Sequence, residues 1–389
     1  MMPAPWVLVC IAFVLSGCAS STVSSPAASA SVALTTDPLP AAPGFSAGES
    51  FPVGPDPVNV AVADLDRDGS LDLVTASESK GVISILLGHG DGTFDAPGSA
   101  PGPRASFVAA VDIDGDATPD LLAAGGKTVS VLIGIGDGSF TKPVSYQIQG
   151  GLAHADAFWL DTGDLNGDAA PDVVVAVNGG SGPEGASGQL AVLLNTGRGT
   201  FAEAVFYPDP SALAVVAEDL DGDGDLDAAT ANFDSKVRVF AGDGSGRFGA
   251  PSEYEIGTHG AAIVAGDLDN DDIPDLLTGD DGGNSISVLI GKDDGSFGQA
   301  QILPAGNTHT VAMADLDRDG NLDLLAGGYT DTDVKFWRGS ADGTFVATAG
   351  VALGDVTARG LAAADLNGDG KLDLAIADAL TSIHIFLAK

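Results

Sequence analysis

The stretch Asp64-Leu65-Asp66-Arg67-Asp68-Gly69-Ser70-Leu71-Asp72 places carboxylates at positions 1, 3, 5 and 9 of a short loop between two apolar runs. Like charges packed so closely repel one another unless a counter-charge sits among them. A hard divalent cation with oxygen ligands meets that need. Calcium accepts an irregular shell of roughly six to eight oxygens, whereas magnesium demands near-octahedral geometry and keeps its waters. The spacing then recurs. It returns as Asp112, Asp114, Asp116 and Asp120, as Asp164, Asn166, Asp168 and Asp172, and as Asp219, Asp221, Asp223 and Asp227. Three further copies are Asp267, Asp269, Asp271 and Asp275; Asp315, Asp317, Asp319 and Asp323; and Asp365, Asn367, Asp369 and Asp373. Successive first aspartates are 48, 52, 55, 48, 48 and 50 residues apart. A period of that length marks a repeat architecture, in which each unit buries its faces against its neighbours.

Each unit has the same grammar. A run rich in small apolar residues, such as Val58 to Ala63, leads into the acidic loop. Leu71 to Ala76 follows, then a turn, then Val82 to Leu87, then the Gly-rich turn Gly90 to Phe94 and a weaker fourth run. Four short strands per unit of about fifty residues, with no helical periodicity, make an all-β propeller blade. Seven units predict a seven-bladed propeller. The last unit ends at its third strand, Ile383 to Leu387, and a matching piece, Gly48 to Val53, stands at the start of the domain. This predicts ring closure, with the segment around Phe51 supplying the outer strand of the last blade and removing an open edge.

The first residues read as a leader and not as part of the fold. Trp6 to Leu15 is apolar but too short to span a bilayer. It ends in Leu15-Ser16-Gly17-Cys18, which resembles a bacterial lipoprotein signal, although Met1 to Trp6 carries no Lys or Arg. The expectation is a signal peptide over 1–17, a lipidated Cys18, a flexible Ser/Ala/Pro tether over 18–43 and a propeller over 44–389. A plain secretory leader is the alternative. The implied location is the cell envelope, lipid-anchored outside the cytoplasm, or else secreted. The lipid is the expected link to the membrane. A formal charge of -38 excludes nucleic acid as a partner. The chain is expected to be monomeric.

The acidic loop together with Phe-x-x-Pro after the third strand (Phe94 to Pro97, Phe140 to Pro143) resembles the FG-GAP/VCBS repeats, best known from integrin alpha subunits. The resemblance covers nearly all of 43–389. It implies structural calcium, up to seven ions, held by the side chains at positions 1, 3, 5 and 9 and a carbonyl at position 7. Position 6 is Gly69, Gly224, Gly320 and Gly370 in four loops, but Ala117, Ala169 and Asp272 in the others. If that position needs φ > 0, the second, third and fifth loops bind more weakly.

Repeats define architecture and leave activity to the positions where the units differ. The loops leading into the first strands carry Arg104, His154, His259, His309 and Arg359. Those joining second and third strands carry Lys80, Lys127, Asn232, Phe233, Lys236 and Tyr329, with an insertion from Asn178 to Gln189. Both sets fall on the face away from the acidic loops. Arg104, His154, His259, His309, Arg359 and Tyr329 are therefore the candidate ligand-binding residues, for an anionic or hydroxyl-rich ligand such as a glycan, or for a protein. No catalytic residue is assigned, and a binding and adhesion scaffold is expected before an enzyme. The alternative implied by the resemblance is a polysaccharide lyase or dehydratase using His154, His259 and His309 at the axis.

Overall fold

The computed structural model describes residues 44–152, 154–182 and 185–389. The leader, Cys18 and the tether up to residue 43 lie outside these described residues. Among them no helix forms, and the chain makes seven antiparallel sheets, six of four strands and one of five. Blade one runs Ala61–Ala63, Asp72–Ala76, Val82–Leu86 and Gly98–Pro101, each strand pairing with the next. The following blades repeat this meander. The expected seven-bladed propeller is the fold.

The strand compositions explain the layering. Asp72–Ala76 and Asp120–Gly125 are buried at every residue, as second strands covered on both faces must be. The outer strand Val144–Gln147 is largely exposed. The core lies between blades. Ala61, Ala63, Val74, Ile83 and Ile85 of blade one pack on Val108, Ala110, Leu121 and Leu132 of blade two. The other face of blade one, with Val62, Leu73 and Leu86, packs on Ala375, Ile383 and Ile385 of blade seven. First and last blades are thus neighbours, and the ring is complete.

Closure follows the expectation. Phe45–Pro52 pairs antiparallel with Ser382–Ala388, with Phe51 opposite Ile383, Ser50 opposite His384 and Phe45 opposite Ala388. Phe51 is 7% exposed and meets the edge of Phe94 at a centroid distance of 5.5 Å. Two blades depart from the pattern. In blade six, Val351–Ala352 adds a short pairing to the third strand. In blade three the insertion proves to be an extended hairpin, Asp172–Gly182 against Gly185–Leu193, with an irregularity between Asn178 and Ser181.

Most innermost strands use small residues, because seven of them crowd one axis. Blade three breaks the rule with Phe158 and Trp159. Trp159 packs against four separate core clusters, which together are built from blades two to six, and its ring lies 4.5 Å from that of Phe107. The indole therefore lies across the axis.

Candidate metal loops and axial site

Seven loops share one backbone. Position 4 (Arg67, Gly115, Gly167, Gly222, Asn270, Arg318, Gly368) has positive φ in every copy. So does position 6, from Gly69 at 92° to Ala117 at 69°, Ala169 at 67° and Asp272 at 67°. The suspected left-handed requirement at position 6 is real, and position 4 shares it. The position 1 carboxylate closes the loop by accepting backbone N–H bonds. Asp64 Oδ1 accepts from Asp68 and its Oδ2 from Gly69, both at 3.1 Å. The loops with Asn166 and Asn367 are built alike, through Asp164 and Asp365.

Position 9 is the most constrained. Asp72 is fully buried; its Oδ2 accepts from Leu65 N–H at 2.7 Å and its Oδ1 from Gly88 N–H at 2.7 Å. The same pair of bonds, from position 2 and from the end of the third strand or just beyond it, holds Asp120, Asp172, Asp227, Asp275, Asp323 and Asp373. Burial, with the like charges of Asp66 and Asp64 added, pushes Asp72 up to about 7 against the pull of its hydrogen bonds. Asp275 rises likewise to about 7, and Asp120, Asp172, Asp227 and Asp323 to about 6.

In five of the seven loops three carboxylates converge. Asp64, Asp66 and Asp72 each bring an oxygen within 4.8 Å of the others, as do Asp112, Asp114 and Asp120; Asp219, Asp221 and Asp227; and Asp315, Asp317 and Asp323. In the fifth loop the group is Asp267, Asp269 and Asp271. Position 5 also caps the N–H of position 7, as Asp68 does for Ser70 at 2.7 Å and, in the fifth loop, Asp271 for Ile273 at 2.9 Å. Asp269 Oδ1 is buried with no hydrogen-bond partner, and burial plus the charges of Asp271 and Asp267 raise this group to about 6. An acceptor oxygen in that state wants a cation. The donor set, carboxylates and an amide on a strained loop, fits calcium. The ion would supply positive charge that offsets the repulsion within each loop.

The Gly-rich turns complete these loops from the next blade. Gly92 N–H donates to Leu366 O at 3.0 Å, and Gly246 N–H to Leu165 O at 2.7 Å. A Cβ on Gly295 would come within 2.4 Å of Asp221 Cβ, and one on Gly343 within 3.1 Å of Asp269 Cβ. Six of the seven acidic loops are therefore roofed by the turn of the following blade. The aspartates of those turns, such as Asp91 and Asp137, cap their own turns through Thr93 and Ser139.

The opposite face holds the axial site. A cavity of about 370 Å³ opens there, and all seven blades line it. Its aromatic lining is Phe107, Phe158, Trp159, Phe233 and Tyr329. Tyr329 Oη lies 2.7 Å from His309 Nε2, and the Arg359 guanidinium sits 5.5 Å from the centre of the Tyr329 ring. Arg359 also ion-pairs with Glu78 across the join of blades seven and one. Desolvation and the nearby Arg359 charge push His309 down to about 4, so its ring is neutral. Phe233, half exposed, stacks on His259 at 3.9 Å, and His259 Nδ1 is 3.8 Å from Asp281 Oδ1.

Of the six candidate residues, His309, Tyr329 and Arg359 line this cavity and touch one another. His259 backs its rim through Phe233. Arg104 and His154 are exposed and do not line it. None of the compact metal-ligand groups among the described residues includes a histidine. At this mouth Arg359 is matched by Glu78, and Asp281 adds a further acid. Sequence reasoning missed Glu78, Asp281 and Trp159. The first two sit one or two residues past a second strand, the register of Phe233 and Tyr329. Trp159 stands where the sibling strands carry Asn59, Phe107, Ala214, Ala262, Thr310 and Gly360, so no shared residue type marks the position.

Comparisons agree with this geometry. Among curated proteins no relative is found for this chain. Among solved structures, BBS1N in complex with ARL6DN is similar with a TM-score of 0.61 and 10% identity, covering 89% of this chain and 97% of that one. A lectin of Agrocybe aegerita, described as recognising non-reducing terminal N-acetylglucosamine, is similar with a TM-score of 0.54 and 18% identity, covering 81% and 92%. At these identities the likeness shows the fold alone. The FG-GAP-like repeat matches over residues 64–123, 112–175, 164–230, 219–278, 267–326 and 317–376. Seven acidic loops on seven blades, with the repeat matched through most of the chain, place it in the FG-GAP-like repeat family.

Proposed function

We propose that this protein is a calcium-stabilised binding scaffold whose axial mouth takes a neutral, hydroxyl-rich ligand, one or two residues of a glycan. The carrying observation is the 370 Å³ cavity to which all seven blades contribute. Its size suits a small ligand enclosed on several sides. Phe233 and Tyr329 offer ring faces at the rim, and Glu78, Asn178 and Asp281 offer oxygens to hydroxyl groups. With Arg359 already matched by Glu78, an anionic ligand has no free guanidinium to meet. The lectin among the similar propellers is consistent with a sugar, and the complex of BBS1N with ARL6DN with a protein; concavity favours the sugar. Binding is preferred to catalysis because His309, held near 4, is a weak base at neutral pH.

A glycan array probed with the intact chain in calcium, beside Phe233→Ala and Tyr329→Ala, tests the reading. Hits lost in both variants support it. Hits indifferent to both, or binding confined to protein partners, overturn it. We also infer that Cys18 anchors the chain in the cell envelope. Labelled fatty acid should then enter the protein in a bacterial host and not enter Cys18→Ser.

A further inference from the structure

The roofing of each metal loop by the next blade's turn has one gap, and Arg338 fills it. In five of the other blades the residue just before the N–H that binds the position 9 carboxylate is Leu87, Ile133, Leu194, Ile290 or Leu387, packed under the neighbouring turn. A Cβ on Gly138, Gly199, Gly246, Gly343 or Gly92 would strike that side chain at 2.8, 2.8, 2.5, 3.3 or 2.9 Å. Blade four has Ala241 there, and Gly295 lies directly on Asp221. Blade seven takes its outer strand from Phe45–Pro52 and so has no Gly-rich turn between its third and fourth strands. Among the described residues no turn of blade seven therefore roofs loop six. At the equivalent position of blade six the side chain is a guanidinium: Arg338 Nε lies 2.7 Å from Asp317 Oδ2, and Arg338 Nη2 donates to Asp319 Oδ2 at 2.9 Å.

Asp317 belongs to the compact oxygen group of loop six, with Asp315 and Asp323. Arg338 thus holds position 3 and position 5 of the one unroofed loop. The only comparable contact among the described residues is Lys371 with Asp369, at 3.5 Å, from within loop seven itself and on a single ligand. The Arg338 side chain is 47% exposed, so it is free to swing away into water.

We propose that Arg338 is a tethered competitor for the divalent cation of loop six, which makes that loop the weakest and most readily exchanged of the calcium sites. The inference rests on the calcium reading of the loops. A guanidinium on two of the ligand carboxylates must be displaced, or must stay as a like charge beside the ion, before calcium binds. In an exposed setting that penalty is worth about tenfold in affinity. It follows from the closure of the ring. A propeller sealed by its own first strand gives up one turn, and the loop beneath that turn needs another cover.

The test is calorimetric calcium titration of the intact chain, with native mass spectrometry to count bound ions, on wild type, Arg338→Leu and Arg338→Lys. Leu is the residue of three sibling blades and keeps the packing. The expected result is that the weakest site of wild type tightens about tenfold in Arg338→Leu and less in Arg338→Lys, with the other sites unchanged. Identical weak sites in wild type and Arg338→Leu, or loss of a site in Arg338→Leu, would overturn the proposal. The variant Asp66→Ala separates this from the calcium reading itself, since it should remove one strong site from loop one whatever Arg338 does. Absence of calcium binding in every variant would overturn both.

Discussion

Asp275→Ala distinguishes the two roles that position 9 combines. Asp275 is fully buried, with Oδ2 accepting from Leu268 N–H and Oδ1 from Gly291 N–H, each at 2.7 Å. Truncation leaves two buried backbone donors without acceptors. An unsatisfied buried donor costs roughly 1–3 kcal/mol, so the pair costs about 2–6 kcal/mol, a large fraction of the stability of an ordinary domain. One term works the other way, since a carboxyl group pushed up to about 7 is held at some expense that Ala removes. The net loss should therefore sit toward the lower end, about 2–4 kcal/mol. The decisive condition is excess chelator. If position 9 is a strut that ties the loop to the third strand, the loss persists without metal. Urea unfolding of wild type and variant, followed by near-UV circular dichroism in chelator and in calcium, reads both numbers. Equal midpoints in chelator would show that position 9 serves only as a metal ligand, and the strut argument would be wrong.

Four other outcomes are expected. Excess chelator should lower the melting temperature of the wild-type chain sharply, and calcium should restore it; an unchanged melt with no bound metal by mass spectrometry would sink the calcium assignment. Phe51→Ala should cost about 3–5 kcal/mol in urea unfolding, because it empties the contact with Phe94 that seals the ring. Ala117→Gly should stabilise the chain by up to about 1 kcal/mol, since Ala is held at a φ of 69° that Gly adopts freely. The contribution of His309 to stability should fall as pH drops from about 6.5 toward about 4, because its folded ring titrates near 4 while the unfolded ring titrates near its ordinary value; the raised position 9 carboxyls work in the opposite sense over the same range, so the term is read only against a His309 variant. Above that window both states are neutral and the effect vanishes. His309→Gln should lose this portion of the pH dependence, measured as the difference between the two unfolding curves across the window.

The fold was legible in the chain because repetition multiplies a weak signal. One acidic loop and one run such as Val82 to Leu87 could belong to many folds; seven copies at near-constant spacing leave a closed ring of blades. The closing strand was legible for the same reason, since the seventh unit lacks a piece that Gly48 to Val53 supplies. The metal loops were legible as residue types, and the left-handed requirement at position 6 could be suspected from the glycines alone. Position 4 could not, because Arg67, Asn270 and Arg318 hide it.

Tertiary structure decided what adjacency decides. Position 9 looks like one more ligand in the chain, yet in space it is a buried strut with both oxygens taken by backbone. Arg104 and His154 stand eight and ten residues before their first aspartates, whereas His309 and Arg359 stand six before theirs, the one offset that lines the axial cavity in all seven blades. Glu78 meets Arg359 across 281 residues of chain, a pairing that no local pattern announces. The acidic loops themselves were plain from the start. That six of them are roofed by a neighbour's glycine turn, and the sixth in order by its own arginine, exists only once the ring has closed.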